Sequence, residues 1–115
     1  MSTSTPSKIE SEIIQFVGLN DLEAPEKQTA MQICETEFEK LKRKLKGPCK
    51  LNVQIKVHGE KHPEGKSVRR KFGIHMKCIE ATRTYNSDKA HDYDLSRALR
   101  MGFTALAHVI EHQTH

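Results

Sequence analysis

The 115-residue sequence has no tryptophan, only 5% aromatic residues and no apolar run of the length of a membrane span. A transmembrane helix needs about 20 consecutive apolar residues, so we expect no membrane partner. The N-terminus, MSTSTPSKIESE, has no apolar segment of the kind that a secretory signal requires, which favours a cytoplasmic location. The scarcity of aromatic rings disfavours recognition of single-stranded nucleic acid through base stacking.

Cysteine is scarce as well. The three cysteines, Cys34, Cys49 and Cys78, are odd in number and form no C-x-x-C pair, which argues against a disulfide framework and a zinc ribbon. Free thiols fit the reducing cytosol. Cys34 and Cys78 fall on predicted core positions, whereas Cys49, directly after a Gly-Pro pair, is expected to be exposed.

Motifs of nucleotide binding and nucleophilic catalysis are absent: there is no G-x-G-x-x-G, no Walker loop and no G-x-S-x-G. The segment from His108 to His112 has the pattern H-x-x-E-H, with which some metal-dependent hydrolases bind zinc. Their position near the end of a predicted helix, where imidazoles suit the helix dipole, favours a structural interpretation. We therefore expect no enzyme, no catalytic residue, no cofactor, no metal site and no small-molecule substrate.

Positive charge is concentrated in the middle of the chain. Residues 40–91 carry fifteen lysines and arginines against four acids, although the whole chain has a net charge of only +4. The flanking segments are acidic. Such a basic region attracts polyanions, and the alternative is a solvated lysine-rich surface.

The hydrophobic pattern predicts the order β-α-β-β-β-α. Residues 1–10 are predicted to form a flexible tail, and residues 11–115 a single domain. A short apolar run at 13–17 predicts the first strand, and Pro25 suits the first turn of the helix that follows. The helix is predicted from the 3- and 4-residue spacing of Met31, Cys34, Phe38, Leu41 and Leu45.

Two strands are predicted from alternation of apolar and polar residues. In residues 51–58, Leu51, Val53, Ile55 and Val57 share one face. In the next run, one face is shared by Val68, Arg70, Phe72, Ile74, Met76 and Cys78. The opposite face is predicted to be open to water and basic, with Lys56, His58, Arg69, Lys71, His75 and Lys77.

A short fourth strand is predicted within 83–91, followed by a second helix capped by Asp92 or Asp94. Its apolar stripe consists of Leu95, Leu99, Phe103, Leu106 and Ile110. One-faced strands with two amphipathic helices predict an α+β fold, a two-layer sandwich with both helices on one face of a mostly antiparallel sheet. This arrangement is like that of double-stranded-RNA-binding domains.

A basic sheet face beside a basic helix end is suited to phosphate groups, which fix position and affinity without reading sequence. The predicted RNA-binding residues are Lys40, Lys42, Arg43, Lys44, Lys56, Arg69, Arg70, Lys71, Lys77, Arg97 and Arg100.

Three segments resemble the ribosome hibernation-promoting factor family, which includes ribosome-associated inhibitor A. FEKLKRKL is similar to the family's L-x-K-L-x-K ending of the first helix, with Lys40 on the recurrent lysine. LNVQIKVHGEKHPEG and RRKFGIHMKCIEA resemble its second and third strands. AHDYDLSRALRMGFTALAHVIEH resembles its closing helix, with matches at Asp94, Ala98, Leu99 and Leu106. The resemblance covers about residues 13–112.

The resemblance implies a monomeric partner of the small ribosomal subunit that binds rRNA in the decoding channel, inhibits translation and performs no chemistry. The chain departs from the family on the closing helix, where Ser96 replaces a tyrosine, and Ala105 and His108 replace basic residues. These departures shift the expected contacts toward the first helix and the strands.

Two alternatives stay open at this point. A general double-stranded RNA-binding domain would use the same fold and charge. A protein-interaction module that pairs through a sheet edge would use the basic face only for solvation.

Overall fold

The strands and helices follow the predicted order. The structure is a computed structural model that describes residues 14–45, 47–59 and 70–113, so the predicted tail at residues 1–10 lies outside the described residues. The strands are β1 (Ile14–Val17), β2 (Cys49–His58), β3 (Lys71–Glu80) and β4 (Thr84–Asp92), and the helices are α1 (Ala24–Lys42) and α2 (Leu95–Gln113). A short 3-10 helix (Leu19–Asp21) connects β1 to α1.

The four strands form one mixed sheet in the order β1-β2-β3-β4. β1 is parallel to β2, and the other neighbours are antiparallel. A register shift between Ile74 and Met76 marks a β-bulge in the β3–β4 pair. The predicted α+β class and two-layer arrangement are confirmed, and the fourth strand is longer than predicted.

Helix α1 begins at a capping box. The backbone N–H of Glu23 donates to Glu26 Oε1 at 2.8 Å, while the Glu23 side chain accepts from the backbone of Glu26, and Pro25 lies in the first turn. This arrangement satisfies backbone donors that a helix start otherwise leaves unpaired. The prediction that Pro25 lies in the first turn of this helix is confirmed.

The buried stripe of α1 differs from the predicted one at two positions, Met31 and Leu45. Leu45 lies after the end of the helix at Lys42 and is only partly buried. Cys34, Phe38 and Leu41 are buried as predicted, but Ala30 lies with them in place of Met31, which is 46% exposed. Residues at 30, 34, 38 and 41 lie on one side of a helix because they are three or four residues apart. Ala30 has a small side chain, so it contributes little to the apolar pattern from which the stripe is predicted.

Helix α2 is capped by Asp94, one of the two predicted acids, and Asp92 holds the backbone just before the helix. Asp94 Oδ1 accepts from the backbone N–H of Arg97 at 3.2 Å, and Asp92 Oδ1 accepts from that of Asp94 at 2.8 Å. The whole predicted stripe is buried, together with Ala98 and Gly102. Both helices therefore cover one side of the sheet, against alternate residues of β2 and β3 such as Val53 and Ile74.

The prediction that Cys49 is exposed is wrong, because this residue is 1% exposed and belongs to the core. β2 begins at this residue, so its side chain alternates with Leu51 toward the helices. Cys34 and Cys78 are buried as predicted. Within the described ranges, neither helix combines the length and apolar character needed to cross a membrane.

Candidate nucleic-acid interface

The sheet surface turned away from the helices, called the open face below, is built from alternate residues of all four strands. The alternation of burial and the strand register place these residues on it: Gln15 and Val17 of β1; Lys50, Asn52, Gln54, Lys56 and His58 of β2; Lys71, Gly73, His75, Lys77 and Ile79 of β3; Thr84, Asn86, Asp88 and His91 of β4. The predicted basic face is thus observed wherever the structure describes it.

The lysines of the open face carry charge that neighbouring acids do not neutralise. Lys50, Lys56 and Lys77 are exposed, and none of them forms an ion pair with a described residue. Lys71 is the first residue of β3, and its Nζ lies 5.8 Å from the centre of the Tyr93 ring. Asp88 is the one carboxylate that the described strands place on this face. The open face therefore has a net positive charge.

The basic end of α1 lies in the other layer, and its lysines have acidic partners. Lys40 Nζ is 3.3 Å from Glu37 Oε2, and Lys42 Nζ is 2.8 Å from Glu39 Oε2. The hydrogen bond from Lys42 lowers the pKa of Glu39 below its usual range. Such exposed pairs are weak and exchangeable. A phosphate would nevertheless have to displace a carboxylate to bind either lysine.

The remaining predicted helix residues are also outside the open face. Lys44 Nζ lies 3.7 Å from Glu111 Oε2 of α2, and Arg43 is exposed after the last turn of α1. Arg97 Nη1 lies 4.0 Å from Asp92 Oδ2, with the arginine side chain 71% exposed. Arg100 is exposed on α2. The structure therefore does not join the helix cations and the strand lysines into one continuous surface.

Arg70 is the second correction, because its position differs most from the expected one. Its side chain is only 7% exposed, and Nη1 donates to both carboxylate oxygens of Glu26 at 3.1 and 3.3 Å. Nη2 donates to the backbone carbonyl of Asp21 at 2.7 Å, and the guanidinium packs 5.5 Å from the centre of the Phe72 ring. Arg70 thus fixes β3 to the start of α1 and is not available to a phosphate. Arg69 lies outside the described residues.

The structure also reveals positions that the site prediction missed. Lys50 joins the open face because β2 begins two residues before the predicted alternation. His58 and His91 lie on either side of Gly73 of β3, and a ring nitrogen of each is within 4 Å of the point that a Cβ atom on Gly73 would occupy. The alternation of β2 signalled Lys50, but no sequence signal could reveal the histidine pair, because it depends on the register of three strands.

A shallow depression occupies the centre of the open face. It is lined by Val17, Asn52, Gln54, His75, Met76, Lys77, Asn86, Ser87 and Asp88. Its amide side chains can both donate and accept hydrogen bonds, which suits ribose hydroxyls. The Oδ1 atom of Asn52 is shielded from solvent and has no hydrogen-bond partner among the described residues.

The described side chains that could perform chemistry are placed unfavourably for it. Burial raises the pKa of Cys34 to about 12, and a hydrogen bond with Cys49, together with burial, raises the pKa of Cys78. Such thiols are poor nucleophiles. His108 and His112 are exposed on α2, and the described residues include no cluster of three or more potential metal ligands.

No protein-family model matches this chain, and no curated protein matches it either.

Proposed function

We propose that the protein is a ribosome-associated translation inhibitor that binds rRNA of the small subunit through the open face of its sheet and performs no chemistry. The observation that supports this proposal most strongly is the open face itself. Lys50, Lys56 and Lys77 project from it without acidic partners among the described residues, and Asp88 is the one carboxylate that the described strands add to this face.

Binding would be driven mainly by electrostatics. Each phosphate that a lysine neutralises releases condensed counterions from the RNA, and this release favours association at low salt. Lysine Nζ groups recognise phosphate as point charges and do not read base edges. The amides of Asn52, Gln54 and Asn86 lie between the lysines, where they can bond ribose hydroxyls. This chemistry suits the shape and backbone of folded RNA.

The ribosome as the partner is supported by the three segments that resemble the hibernation-promoting factor family. The departures at Ser96, Ala105 and His108 all lie on α2, in the helix layer. The open face retains its lysines. A factor of this kind would act by occupying the RNA surface of the decoding channel, so it needs affinity and shape but no catalytic group.

The alternative of a sheet-edge interaction module has less support. The edge strand β4 is interrupted by a bulge with the charged pair Asp88 and Lys89 beside it. Bulges and charges are features by which proteins protect sheet edges from pairing with other chains. A general double-stranded RNA binder has the same open face, so the experiment must separate it from a ribosomal factor.

The test is co-sedimentation of the protein with purified small ribosomal subunits at low and high salt. We expect co-migration at low salt and release at high salt. An excess of unrelated duplex RNA should leave the complex intact if the ribosome is the partner. Complete competition by that duplex would favour the general RNA binder, and no co-migration at low salt would contradict the proposal.

The matched variants are two double substitutions that each remove two positive charges. Lys56→Gln/Lys77→Gln changes the open face, and Lys40→Gln/Lys44→Gln changes the basic end of α1. We expect the first to weaken co-sedimentation clearly more than the second. Equal weakening would mean that the open face has no special role.

A further inference from the structure

The imidazole rings of His58 and His91 both lie close to Gly73 on the open face. His58 ends β2 and His91 lies near the end of β4, on opposite sides of β3. A Cβ atom built on Gly73 of β3 would lie 3.1 Å from His91 Nδ1 and 3.6 Å from His58 Nε2. Nitrogen atoms from two strands are therefore close to one point above the third strand.

The glycine creates this arrangement. Gly73 pairs with Lys56 on one side and with His91 on the other, in the interior of the sheet. Glycine weakens a strand, and in a strand interior it often marks a site of close approach. Here any larger side chain would occupy the space toward which the rings lean, and it would displace the nearer ring, that of His91.

The charged groups around the pair favour an anion. Lys56 lies two residues before His58 on β2, and Lys71 is the register partner of His58 on β3. On β4 the exposed pair Asp88 and Lys89 lies at the bulge before His91, and the two opposite charges offset each other. His75 follows Gly73 by two residues. The neighbouring carboxylate of Asp92 accepts from the backbone N–H of Asp94, and Asp92 pairs with Phe72, whose side chain faces the core.

We propose that His58 and His91 together bind one phosphate group of the RNA in their protonated form, so that RNA binding strengthens as the pH falls below neutral. This inference rests on the proposed function, because it assigns a titratable phosphate position within the same open face. A protonated imidazole donates from both ring nitrogens, and charged donors form the stronger bonds to phosphate oxygens. Histidine changes its charge between about pH 5 and pH 8.

Proton uptake and phosphate binding are coupled at this site. Because both imidazoles are protonated in the proposed phosphate-binding form, lowering the pH favours binding, and binding in turn favours protonation. A transition metal would instead need neutral imidazoles and further ligands, and the described part of the chain offers no group of three.

The test measures the affinity for purified small ribosomal subunits at constant salt, at about pH 8 and at about pH 5.5. We expect the wild type to bind roughly tenfold more tightly at the lower pH, since each added charge that meets a phosphate strengthens binding several-fold. His58→Gln/His91→Gln should gain no more than about twofold. The matched control, His108→Gln/His112→Gln on α2, should gain as much as the wild type.

A second variant and a second measurement keep the test decisive if the double histidine variant does not fold. Gly73→Ala keeps both histidines but should move the His91 ring and reduce the gain. In the wild type, NMR titration of the two imidazoles should show that RNA raises the pH at which they lose their protons. Circular dichroism at both pH values verifies that each variant is folded.

The outcomes separate the inference from the proposed function. Salt-dependent RNA binding with no gain at low pH, or an equal gain in His58→Gln/His91→Gln, would overturn the inference and leave the proposed function standing. Failure to bind the small subunits at both pH values would overturn the inference and the proposed function together. A zinc-induced change at these two histidines without pH-dependent RNA binding would also overturn the inference, in favour of a metal site.

Discussion

Arg70 and Glu26, 44 residues apart in the sequence, form an ion pair in which one guanidinium nitrogen donates to both carboxylate oxygens at 3.1 and 3.3 Å. Glu26 Oε1 also accepts from the backbone N–H of Glu23 in the capping box of α1. One carboxylate thus supports the start of a helix and holds a buried cation of the sheet. This relationship removes Arg70 from the basic surface and makes it part of the fold.

We predict that Glu26→Gln lowers the free energy of unfolding by about 2 kcal/mol, because it leaves the buried guanidinium without its counter-charge. The effect is smaller than for a fully buried pair, since the Glu26 side chain is 25% exposed. Urea denaturation measures it. The control is Glu23→Gln, whose carboxylate is 61% exposed and 3.9 Å from Arg70, with an expected loss of at most about 0.5 kcal/mol. Equal losses would contradict the structural role of the Arg70–Glu26 pair.

Gly18 provides the second prediction. Its φ angle is +95°, and a Cβ atom would lie 2.2 Å from the carbonyl oxygen of Ile55. Gly18→Ala should therefore destabilise the protein by more than about 2 kcal/mol through backbone strain and the clash. Gly47→Ala is the matched control, because its Cβ would have no described neighbour within 4 Å. Thermal unfolding compares the stability of the two variants. A Gly18→Ala variant as stable as Gly47→Ala would be incompatible with the position of the turn after β1.

The buried thiols provide the third prediction. Burial raises the pKa of Cys34 to about 12, whereas a thiol of an unfolded chain titrates near ~8.5. The folded state keeps this proton at alkaline pH and the unfolded state loses it. The resulting contribution to stability is complete below about pH 8.5 and is lost as the pH rises toward that of the folded thiol.

The measurement is the free energy of unfolding at about pH 8.5 and about pH 10 for the wild type and Cys34→Ala. We expect the free energy of unfolding to fall less between these two pH values in Cys34→Ala than in the wild type, by roughly 1–2 kcal/mol. A thiol reagent at neutral pH should also leave all three cysteines unmodified until the protein is unfolded. Rapid modification of the native protein, or identical alkaline losses, would show that the Cys34 thiol is accessible.

Most of the fold could be predicted from the sequence because its elements have strong periodic patterns. The alternation of Leu51, Val53 and Ile55 defined β2, and the spacing of Leu99, Phe103 and Ile110 defined α2. The errors fell where the signal was weak. Ala30 is too small to stand out beside Met31, and Cys49 lies at a strand end, where boundaries are least certain.

The candidate site was predicted less completely than the fold. Alternation placed Lys56, Lys71 and Lys77 on the open face, where the structure has them. It also placed Arg70 on the apolar face, but its charge argued for the binding surface, and the decisive partner Glu26 is distant in the sequence. The pair His58 and His91 depends on the register of β2, β3 and β4, which periodicity alone does not determine.

The central claim is that phosphates bind at the open face, and the salt dependence of RNA affinity tests it most directly. Removing two phosphate contacts should reduce the slope of log affinity against log salt by about 1.4–1.8. We predict that reduction for Lys56→Gln/Lys77→Gln and a clearly smaller one for Lys40→Gln/Lys44→Gln. An unchanged slope in the open-face variant, with the wild type binding the same RNA, would contradict the account.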